Sequence, residues 1–337
     1  MGSVKDLVVI KEPKNETGIG EFIFSDRYSV FDWGEMPDYI KNKGKALCMI
    51  GSYFFEKLEK NGIKTHYIGI LEEGIVKKFD EISKASNRMR IKLLRVLKPK
   101  IKGNRYDYSI YKKEKGNFLI PLEIIYRNYL PAGSSIFRRL EKGEINLADV
   151  GLEKMPKPGQ KLNEPILDVS TKLENIDRYI NWEEAKDIAG LNDDELEEIK
   201  KKAMDINRLI SKEVKKAGLI NEDGKIEFGF DEKRNLMVVD VIGTPDECRF
   251  TFDGMPISKE IIRIYYRNTK WYEELQEAKK KIEWKKFVSN PPHLPAKLVE
   301  NVSMLYQACC NEITQRKFFS VPSIKEIIQG IKEFIDT

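Results

Sequence analysis

The strongest constraint on the fold of this chain is the alternation of side chains at residues 223–242. Asp223, Lys225 and Glu227 alternate with mostly apolar residues, and alternate side chains of a β-strand point to the same face. The first strand of this segment therefore has one polar face and one core face. A turn-prone stretch at residues 231–235 leads into a second, almost wholly apolar strand. The segment predicts an antiparallel hairpin packed against a hydrophobic core.

The second strand of this predicted hairpin carries one charged residue, Asp240. A carboxylate buried in an apolar run is costly unless it meets a cation, a metal ion or a hydrogen-bond donor. A four-residue loop would place Lys225 opposite Asp240, on the same face as Glu227. A five-residue loop without a bulge would instead turn Asp240 toward the apolar side. The register of the hairpin therefore decides whether these three charges converge.

Two interpretations of the converging charges stay open from the spacing alone. Two carboxylates beside a lysine can hold Mg²⁺ and a polyphosphate, because this hard cation prefers a few carboxylate oxygens together with phosphate oxygens. The alternative is a structural ion pair across the hairpin.

The remaining residue inventory limits the chemistry of any site. The chain has two histidines, His66 and His293, and four cysteines without a C-x-x-C spacing. A zinc ribbon, a histidine-rich metal site and a Ser/His/Asp triad are therefore poorly supported, and we expect the cysteines to be buried thiols. Catalysis has to rely on carboxylates, lysines and arginines.

The length and the order of elements indicate an α+β protein of roughly two domains. The 337 residues, of which 41% are hydrophobic and 34% charged, are enough to bury a sizeable core. No regular βαβαβ alternation appears, which favours mostly antiparallel sheets. We predict an N-terminal antiparallel β domain with one helix at residues 1–125, a larger α+β domain at 126–284, and a helical C-terminal extension, packed on the second domain, at 285–337.

Hydrophobic periodicity locates the main elements. Apolar residues spaced three and four apart predict helices over residues 44–60 and 193–217. Three prolines and a glycine mark residues 156–165 as a linker or mobile flap. Strands are expected at residues 7–10, 20–24, 90–97 and 118–126, and further helical stretches at 258–284, 296–313 and 323–335.

The charge balance favours a small anionic ligand over nucleic acid. The 59 basic and 54 acidic residues leave a net charge of +5, a mild excess. Residues 98–117 form a basic stretch with three tyrosines, which indicates a hairpin-like insertion. This insertion is either an RNA-binding surface or an ordinary solvent-exposed loop. The longest apolar run is far shorter than the roughly 20 residues of a membrane helix, and no secretion leader is visible. We expect a cytoplasmic protein.

Several segments along the chain, taken together, resemble the SAICAR synthetase (phosphoribosylaminoimidazole-succinocarboxamide synthase) family, in its longer form. The resemblance is collinear over nearly the whole chain. Its segments are G-S-V-K-D at residues 2–6, F-S-D-R-Y-S-V-F-D at 24–32, K-G at 43–44, G-I-K-T-H at 62–66, R-N-Y-L-P-A-G-S at 127–134, S-T-K-L-E at 170–174, D-G-K-I-E-F-G at 223–229, D-V-I-G-T-P-D-E-C-R at 240–249 and N-P-P-H-L-P at 290–295.

The resemblance implies a fold and a reaction. The fold is α+β, with a small N-terminal antiparallel domain and a larger second domain that clasp ATP between them, similar to ATP-grasp enzymes and kinases. The reaction is ATP-dependent ligation in purine biosynthesis: CAIR is activated as an acyl phosphate, and the amine of L-aspartate displaces phosphate to give SAICAR. The cofactors are ATP and Mg²⁺. No nucleic acid or membrane partner is expected, and a homodimer stays open.

Residue roles follow from matched positions. The resemblance implies that Lys225, Glu227 and Asp240 are the catalytic residues. The expected metal ligands are Glu227 and Asp240. The residues expected to contact ATP are Lys5, Lys225 and Glu227. The expected substrate-binding residues are Arg127, Ser134, Lys172, Asp246 and Arg249, of which Asp246 is expected to orient a neighbour.

Departures from the family pattern keep two further hypotheses open. Ser3 stands where the family usually has a lysine, and Val241 replaces the glutamate that follows the metal-binding aspartate. The loop after Arg127 is one residue longer and contains Pro131. A divergent ligase of the same family with another amine or carboxylate is therefore the first alternative. The second is a nucleotide-binding or RNA-binding regulator without catalysis, suggested by the basic insertion.

Overall fold

A computed structural model describes residues 4–103, 105–281 and 283–334, and its two main sheets are antiparallel throughout. The first sheet has the strand order β1-β2-β5-β3-β4. Its strands are β1 (Lys5–Lys11), β2 (Gly18–Phe24), β3 (Tyr67–Glu72), β4 (Ile75–Lys77) and β5 (Arg88–Leu93). The predicted strand over residues 90–97 ends early, because Arg95 leaves the sheet and bridges to Phe118.

The helix predicted over residues 44–60 is confirmed as α1 (Lys43–Lys60). Its apolar residues are buried against β2, β3 and β5, so the 3.6-residue period of the sequence becomes one packed face. Gly62 follows the helix with φ of +75°, which glycine adopts without steric cost.

The insertion at residues 98–117 contains a small hairpin, β6 (Lys100–Lys102) and β7 (Arg105–Asp107). Residue 104 lies outside the described residues. Tyr108 and Tyr111 are buried, and the Tyr111 hydroxyl donates to the Leu97 carbonyl at 2.6 Å. These two tyrosines anchor the insertion to the core, so they are not available to stack on bases.

The second sheet has the order β13-β12-β10-β8-β9, with β11 also paired to β10. Its strands are β8 (Phe118–Leu130), β9 (Gln160–Thr171), β10 (Ile220–Phe230), β11 (Leu236–Val239), β12 (Cys248–Phe252) and β13 (Met255–Pro256). Three helices accompany it, α2 (Ser135–Glu141), α3 (Trp182–Ala189) and α4 (Asp193–Lys215). The long helix predicted over residues 193–217 is thereby confirmed, and its apolar stripe is buried.

The linker predicted at residues 156–165 is wrong for its second half. From Gln160 onward the chain is strand β9, in which Gln160 pairs with Leu130 and Lys161 with Tyr129. Pro165 lies within this strand, which is compatible with a proline because β9 is at the edge of the sheet.

The chain from Glu260 to Lys332 is mainly helical, with α5 (Glu260–Arg267), α6 (Lys270–Ala278), α7 (Ala296–Thr314) and α8 (Ile324–Lys332). The single helical stretch predicted to residue 284 is interrupted where Thr269 caps α6 by accepting from the Tyr272 amide. Helix α7 packs on α1 and α8. All four cysteines are free and buried, as expected. The predicted end of the last helix, residue 335, lies outside the described residues.

The predicted division into three domains stays a proposal. Its first boundary, after residue 125, falls inside β8, which runs unbroken from Phe118 to Leu130, so we would place that boundary before Phe118. Among the residues that the structure describes, no helix combines the length and apolar character needed to span a bilayer.

Candidate active site

Strand β10 organises the candidate site because it is paired on both sides by other strands of the second sheet. The predicted sharing of one polar face holds: the side chains of Asp223, Lys225 and Glu227 all reach charged partners above this face. Asp223 meets arginines, whereas Lys225 and Glu227 meet lysines and carboxylates. One strand face therefore contributes to two different charge clusters.

The first group, here called the lysine cluster, surrounds Lys225. The Lys225 Nζ lies 2.9 Å from Glu123 Oε1, 3.2 Å from Glu227 Oε1 and 3.5 Å from Glu247 Oε2. Lys172, at the end of β9, pairs with Glu227 as well. The cluster has three lysines and four carboxylates: Lys5, Lys172, Lys225, Glu123, Glu227, Asp240 and Glu247.

Asp240 joins this cluster by a route that the sequence did not predict. Phe230 pairs with Leu236 and Glu227 with Val239, so the hairpin loop has five residues and the four-residue register is wrong. Strand β11 ends at Val239, and Asp240 takes a left-handed conformation with φ of +64°. Its carboxylate accepts a hydrogen bond from Lys5 of β1. A backbone turn, and not strand alternation, therefore returns Asp240 to the charged group.

The longer loop has a local cause in Asp231. The buried Asp231 carboxylate accepts from the backbone amides of Lys233 at 2.9 Å and Asn235 at 2.8 Å, and from Lys64. Asp231 and Asn235 also close the loop with a backbone hydrogen bond of 3.0 Å. These bonds make five residues the stable loop length.

The two carboxylates predicted as metal ligands have pKa values that are shifted in opposite directions. Burial and the charge of Asp240 raise the pKa of Glu227. Burial would also raise the pKa of Asp240, but the charges of Lys5, Lys225 and Lys172 outweigh it and hold that pKa well below its usual range. Two carboxylates that share a site in this way favour an added cation.

The charge of Lys225 is secured by its neighbours. Burial opposes that charge, but the carboxylates of Glu247, Glu227 and Glu123 raise the pKa of Lys225 well above its usual range. His66 lies beneath the cluster and donates from Nε2 to the Asp240 carbonyl at 3.0 Å. Burial lowers the pKa of His66 to about 4, so the ring is neutral at physiological pH.

The second group, the arginine cluster, lies at the other end of the same β10 face. Arg127 is 2% exposed and contacts Asp168 at 3.1 Å and Asp223 at 3.3 Å. Arg139 of α2 contacts Asp168 at 2.6 Å, and Arg249 of β12 donates from Nε to Asp223 at 2.7 Å. Three arginines against two aspartates leave this cluster with a formal excess of one positive charge.

The serines after Arg127 support the arginine cluster. Ser134 caps α2 by accepting from the Ile136 amide and lies 3.4 Å from an Arg127 Nη1, while Ser135 accepts from the other Nη at 3.1 Å. The Arg127 Nε is buried without a hydrogen-bond partner among the described residues. The cluster therefore offers donors to an anion.

Asp246 occupies a supporting position. Its carboxylate meets Lys43 at the start of α1 at 2.7 Å and accepts from Tyr306 of α7 at 2.6 Å. Burial would raise the pKa of Asp246, but Lys43 and Lys259 lower it to about 2. The residue thus ties α1 and α7 to the turn that precedes β12, which fits the predicted orienting role.

A cleft of about 350 Å³ connects the two clusters, with Glu123, Lys225 and Glu247 on one side and Arg127 and Arg249 on the other. A larger cleft of about 1010 Å³ adjoins it.

Both clefts are bordered by Asp177 and Tyr179. The predicted site residues Lys225, Arg127 and Arg249 thus face one space, and Asp246 also lines it.

Within the described residues, no group of three or more histidine, cysteine, aspartate or glutamate side chains could hold a metal ion. The predicted pair, Glu227 and Asp240, supplies carboxylate oxygens alone. Such a pair fits Mg²⁺, which usually binds one or two carboxylates and fills its other positions with water and substrate phosphates.

Several charged residues of the site were missed from the sequence. Glu123 is the only charged residue of the run 118–126, and Asp168 interrupts a similar run at 166–169, so the reasoning applied to Asp240 could have found both. Arg139 and Asp177 carried no such signal. Gly2 and Ser3 of the predicted N-terminal motif, including the departure at Ser3, lie outside the described residues.

Val241, which stands where the family usually has a glutamate, has its side chain in the hydrophobic core and not in either cleft. Val241 is 6% exposed, and its side chain packs close to Gly51 of α1. The side chain therefore belongs to the core under the lysine cluster.

Comparisons with known proteins converge on one family. The family model described as SAICAR synthetase matches residues 2–278. A protein of Archaeoglobus fulgidus, provisionally named phosphoribosylaminoimidazole-succinocarboxamide synthase, is 56% identical over 336 residues, which cover 100% of both chains. The Thermoplasma acidophilum phosphoribosylaminoimidazole-succinocarboxamide synthase is 34% identical over 88% of this chain and 93% of its own length.

Solved structures share the same architecture. A SAICAR synthetase in complex with ADP is 26% identical, with a TM-score of 0.57 over 87% of this chain and 99% of that chain. The Saccharomyces cerevisiae SAICAR synthase complexed with SAICAR has a TM-score of 0.63 over 95% of both chains at 23% identity. These structures confirm the α+β fold with antiparallel sheets and C-terminal helices.

Proposed function

The chain belongs to the SAICAR synthetase family, and we propose that it is an ATP-dependent ligase of purine biosynthesis that condenses CAIR with L-aspartate to give SAICAR, ADP and phosphate. The observation that carries this proposal is the β10 face that joins a cluster with an excess of carboxylates to a cluster with an excess of arginine. Lys225, with Glu123 and Glu247, lines the same cleft as Arg127 and Arg249, so a cation-bound nucleotide beside Lys225 and an anionic substrate beside the arginines can meet there.

The lysine cluster is the proposed nucleotide end. Lys5 and Lys225 would contact ATP phosphates, and Glu227 and Asp240 would hold Mg²⁺. The raised pKa of Glu227 supports this assignment, because burial and the charge of Asp240 disfavour its carboxylate form, which a bound cation would stabilise. When bound, Mg²⁺ neutralises charge on the transferring phosphoryl group. Lys172 keeps Glu227 in place through its ion pair.

The arginine cluster is the proposed binding site for the CAIR phosphate. Arg127, Arg249 and Ser134 would donate to the phosphate, because guanidinium groups form paired hydrogen bonds with its oxygens. Asp223 and Lys225 are two residues apart on β10, which separates their Cα atoms by about 7 Å. CAIR carries a phosphate and a carboxylate at opposite ends, so it can reach both clusters at once.

The chemistry needs no nucleophilic side chain. A carboxylate oxygen of CAIR attacks the γ-phosphorus of ATP and ADP leaves, which forms an acyl phosphate. The amine of L-aspartate then attacks the acyl carbon, and phosphate leaves. Lys225 would stabilise the negative charge on the transferring phosphoryl group. Burial raises the pKa of the Cys248 thiol, so this thiol stays protonated and does not act as a nucleophile.

The test is ADP release by purified protein with ATP and Mg²⁺. We expect release only when CAIR and L-aspartate are both present, with SAICAR as the product. Full ADP release and amide formation with another amine, but not with L-aspartate, would instead support the divergent ligase. A cytoplasmic location and a homodimer remain proposals alongside this function.

A further inference from the structure

Asp177 is a carboxylate with no role in the proposed ATP, Mg²⁺ and CAIR contacts. It lies in the connection between β9 and α3 and borders both clefts. In the described part of the chain it forms no hydrogen bond or ion pair, in contrast to Glu123, Glu227 and Glu247, which all pair with Lys225. Among the described residues that line this cleft, Asp177 is therefore the carboxylate whose negative charge is not balanced by an ion-pair partner.

The backbone around Asp177 is held firmly. Thr171 donates its amide to the Arg178 carbonyl at 2.9 Å, and Arg178 donates its own amide to the Thr171 hydroxyl at 3.0 Å. The Arg178 side chain is occupied by Glu174 and Glu184. These contacts hold the backbone next to Asp177, and the neighbouring arginine is occupied by other carboxylates and does not neutralise Asp177.

The electrostatics of the cleft suit a proton acceptor at this position. The charged groups facing Asp177 are Glu123 of β8, Lys172 after β9, Lys225 of β10 and Asp32 of the loop before α1. The Asp177 side chain is exposed along the cleft, and the loss of part of its hydration to the surrounding protein, together with the charge of Glu123, raises its pKa to about 6. A carboxylate near its pKa at neutral pH is an efficient general base.

The substrates supply one group that needs such a base. L-Aspartate carries its α-amine as an ammonium ion at neutral pH, and an ammonium has no lone pair with which to attack a carbonyl carbon. Of the other carboxylates that line the cleft, Glu123 and Glu247 pair with Lys225, and Asp223 pairs with the cations Arg127 and Arg249. These cations suit carboxylates and phosphate and repel an ammonium group.

We propose that Asp177 binds the α-ammonium group of the amino-acid substrate and accepts its proton during amide formation. This inference rests on the proposed function. The Asp177 carboxylate first accepts one proton from the ammonium group, which frees the nitrogen lone pair. As the C–N bond forms, the C–O bond to the phosphate breaks, and phosphate leaves with the bonding electron pair and takes up the second proton that the nitrogen loses. No oxidation or reduction takes place.

The experiment compares Asp177→Asn and Asp177→Glu with the wild type, using two nucleophiles. With L-aspartate, Asp177→Asn should lower kcat by roughly 100-fold, the usual contribution of a general base, and Asp177→Glu should restore part of the rate. The wild-type kcat/KM for L-aspartate should fall as the pH drops below about 6, and Asp177→Asn should lack this dependence.

Hydroxylamine provides the second nucleophile because it is largely unprotonated at neutral pH and traps acyl phosphates directly. With CAIR, ATP and hydroxylamine, Asp177→Asn should release ADP at a rate within a few-fold of the wild type. Glu144→Gln, which neutralises a carboxylate of the larger cleft alone, is the matched control and should leave both reactions unchanged.

Two results would overturn the role of Asp177. One is a wild-type rate with L-aspartate in Asp177→Asn, and the other is an equal loss with both nucleophiles. If the wild type releases no ADP from CAIR with either nucleophile, the proposed function itself is wrong, and the inference is rejected with it.

Discussion

The lysine cluster and the arginine cluster lie two residues apart on the same face of β10, yet they are built differently. The lysine cluster draws Lys5 and, through the turn after β11, Asp240 from outside the regular strand pairing. The arginine cluster is built mainly from paired neighbours: Arg127 of β8 and Arg249 of β12 both lie directly opposite Asp223.

This difference indicates how each cluster works. The lysine cluster joins the first sheet to the second, has four carboxylates for three lysines, and is suited to change with a bound cation. The arginine cluster has planar guanidinium groups fixed by aspartates on adjacent strands, which preorganises its donors for one anion. Motion between the sheets would therefore affect the nucleotide end more than the CAIR end.

The largest predicted effect concerns the lysine cluster. Asp240→Asn and Glu227→Gln should each lower turnover by about a thousandfold, because each removes a carboxylate that would hold the Mg²⁺ ion, and this ion would neutralise charge on the transferring phosphoryl group. Neither side chain packs in the apolar core, so the far-UV circular dichroism should stay unchanged. Near-normal kcat in either variant would contradict the proposed metal ligands.

Removal of the central arginine should act on stability. Arg127→Met should lower the free energy of unfolding by about 3 kcal/mol, because Asp168 and Asp223 would remain buried with fewer counter-charges. Urea denaturation followed by intrinsic fluorescence measures this loss. Lys5→Met, at the partly exposed end of the lysine cluster, is the comparison variant and should lose much less; equal losses would remove the distinction between the clusters.

The outer arginine should act on substrate binding. Arg249→Ala should raise the KM for CAIR about 30-fold, the equivalent of about 2 kcal/mol for a charge-assisted hydrogen bond, and should leave the KM for ATP nearly unchanged. Steady-state kinetics with each substrate varied in turn gives both constants. A rise confined to ATP would place the nucleotide at the opposite cluster.

The last prediction distinguishes the clusters by the pH dependence of stability. His66, beneath Asp240, is neutral in the folded protein because burial lowers its pKa to about 4, whereas an unfolded histidine titrates near its usual value of about 6.5. The unfolded state then binds more protons between these values. This contribution to stability is complete above about pH 6.5, is lost as the pH falls toward 4, and changes by at most about 1.4 kcal/mol per pH unit.

His66→Gln should remove this pH-dependent contribution, which thermal melts at several pH values would measure. The matched comparison is Arg249→Ala, which changes the arginine cluster and should keep the wild-type pH dependence of unfolding. An identical slope in His66→Gln and the wild type would show that His66 titrates normally in the folded state.

Part of the site followed from the residues themselves. The alternation of Asp223, Lys225 and Glu227 with apolar neighbours predicted a shared polar face, and the contacts of these three residues agree with it. The same local reasoning predicted α1 and α4 nearly to the residue. Period-two and period-3.6 patterns are properties of the backbone, so they hold wherever the chain is long enough to express them.

The sequence by itself determined the antiparallel α+β fold, the polar face of β10 and, through its collinear motifs, the family. Only the tertiary structure decided how Asp240 reaches Lys5, because the outcome depends on the five-residue loop closed by Asp231 and on a left-handed turn after β11. It also brought Glu123, Asp168 and Asp177 beside the β10 face. These arrangements depend on register and on packing between distant segments, and neither is contained in the local periodicity of the chain.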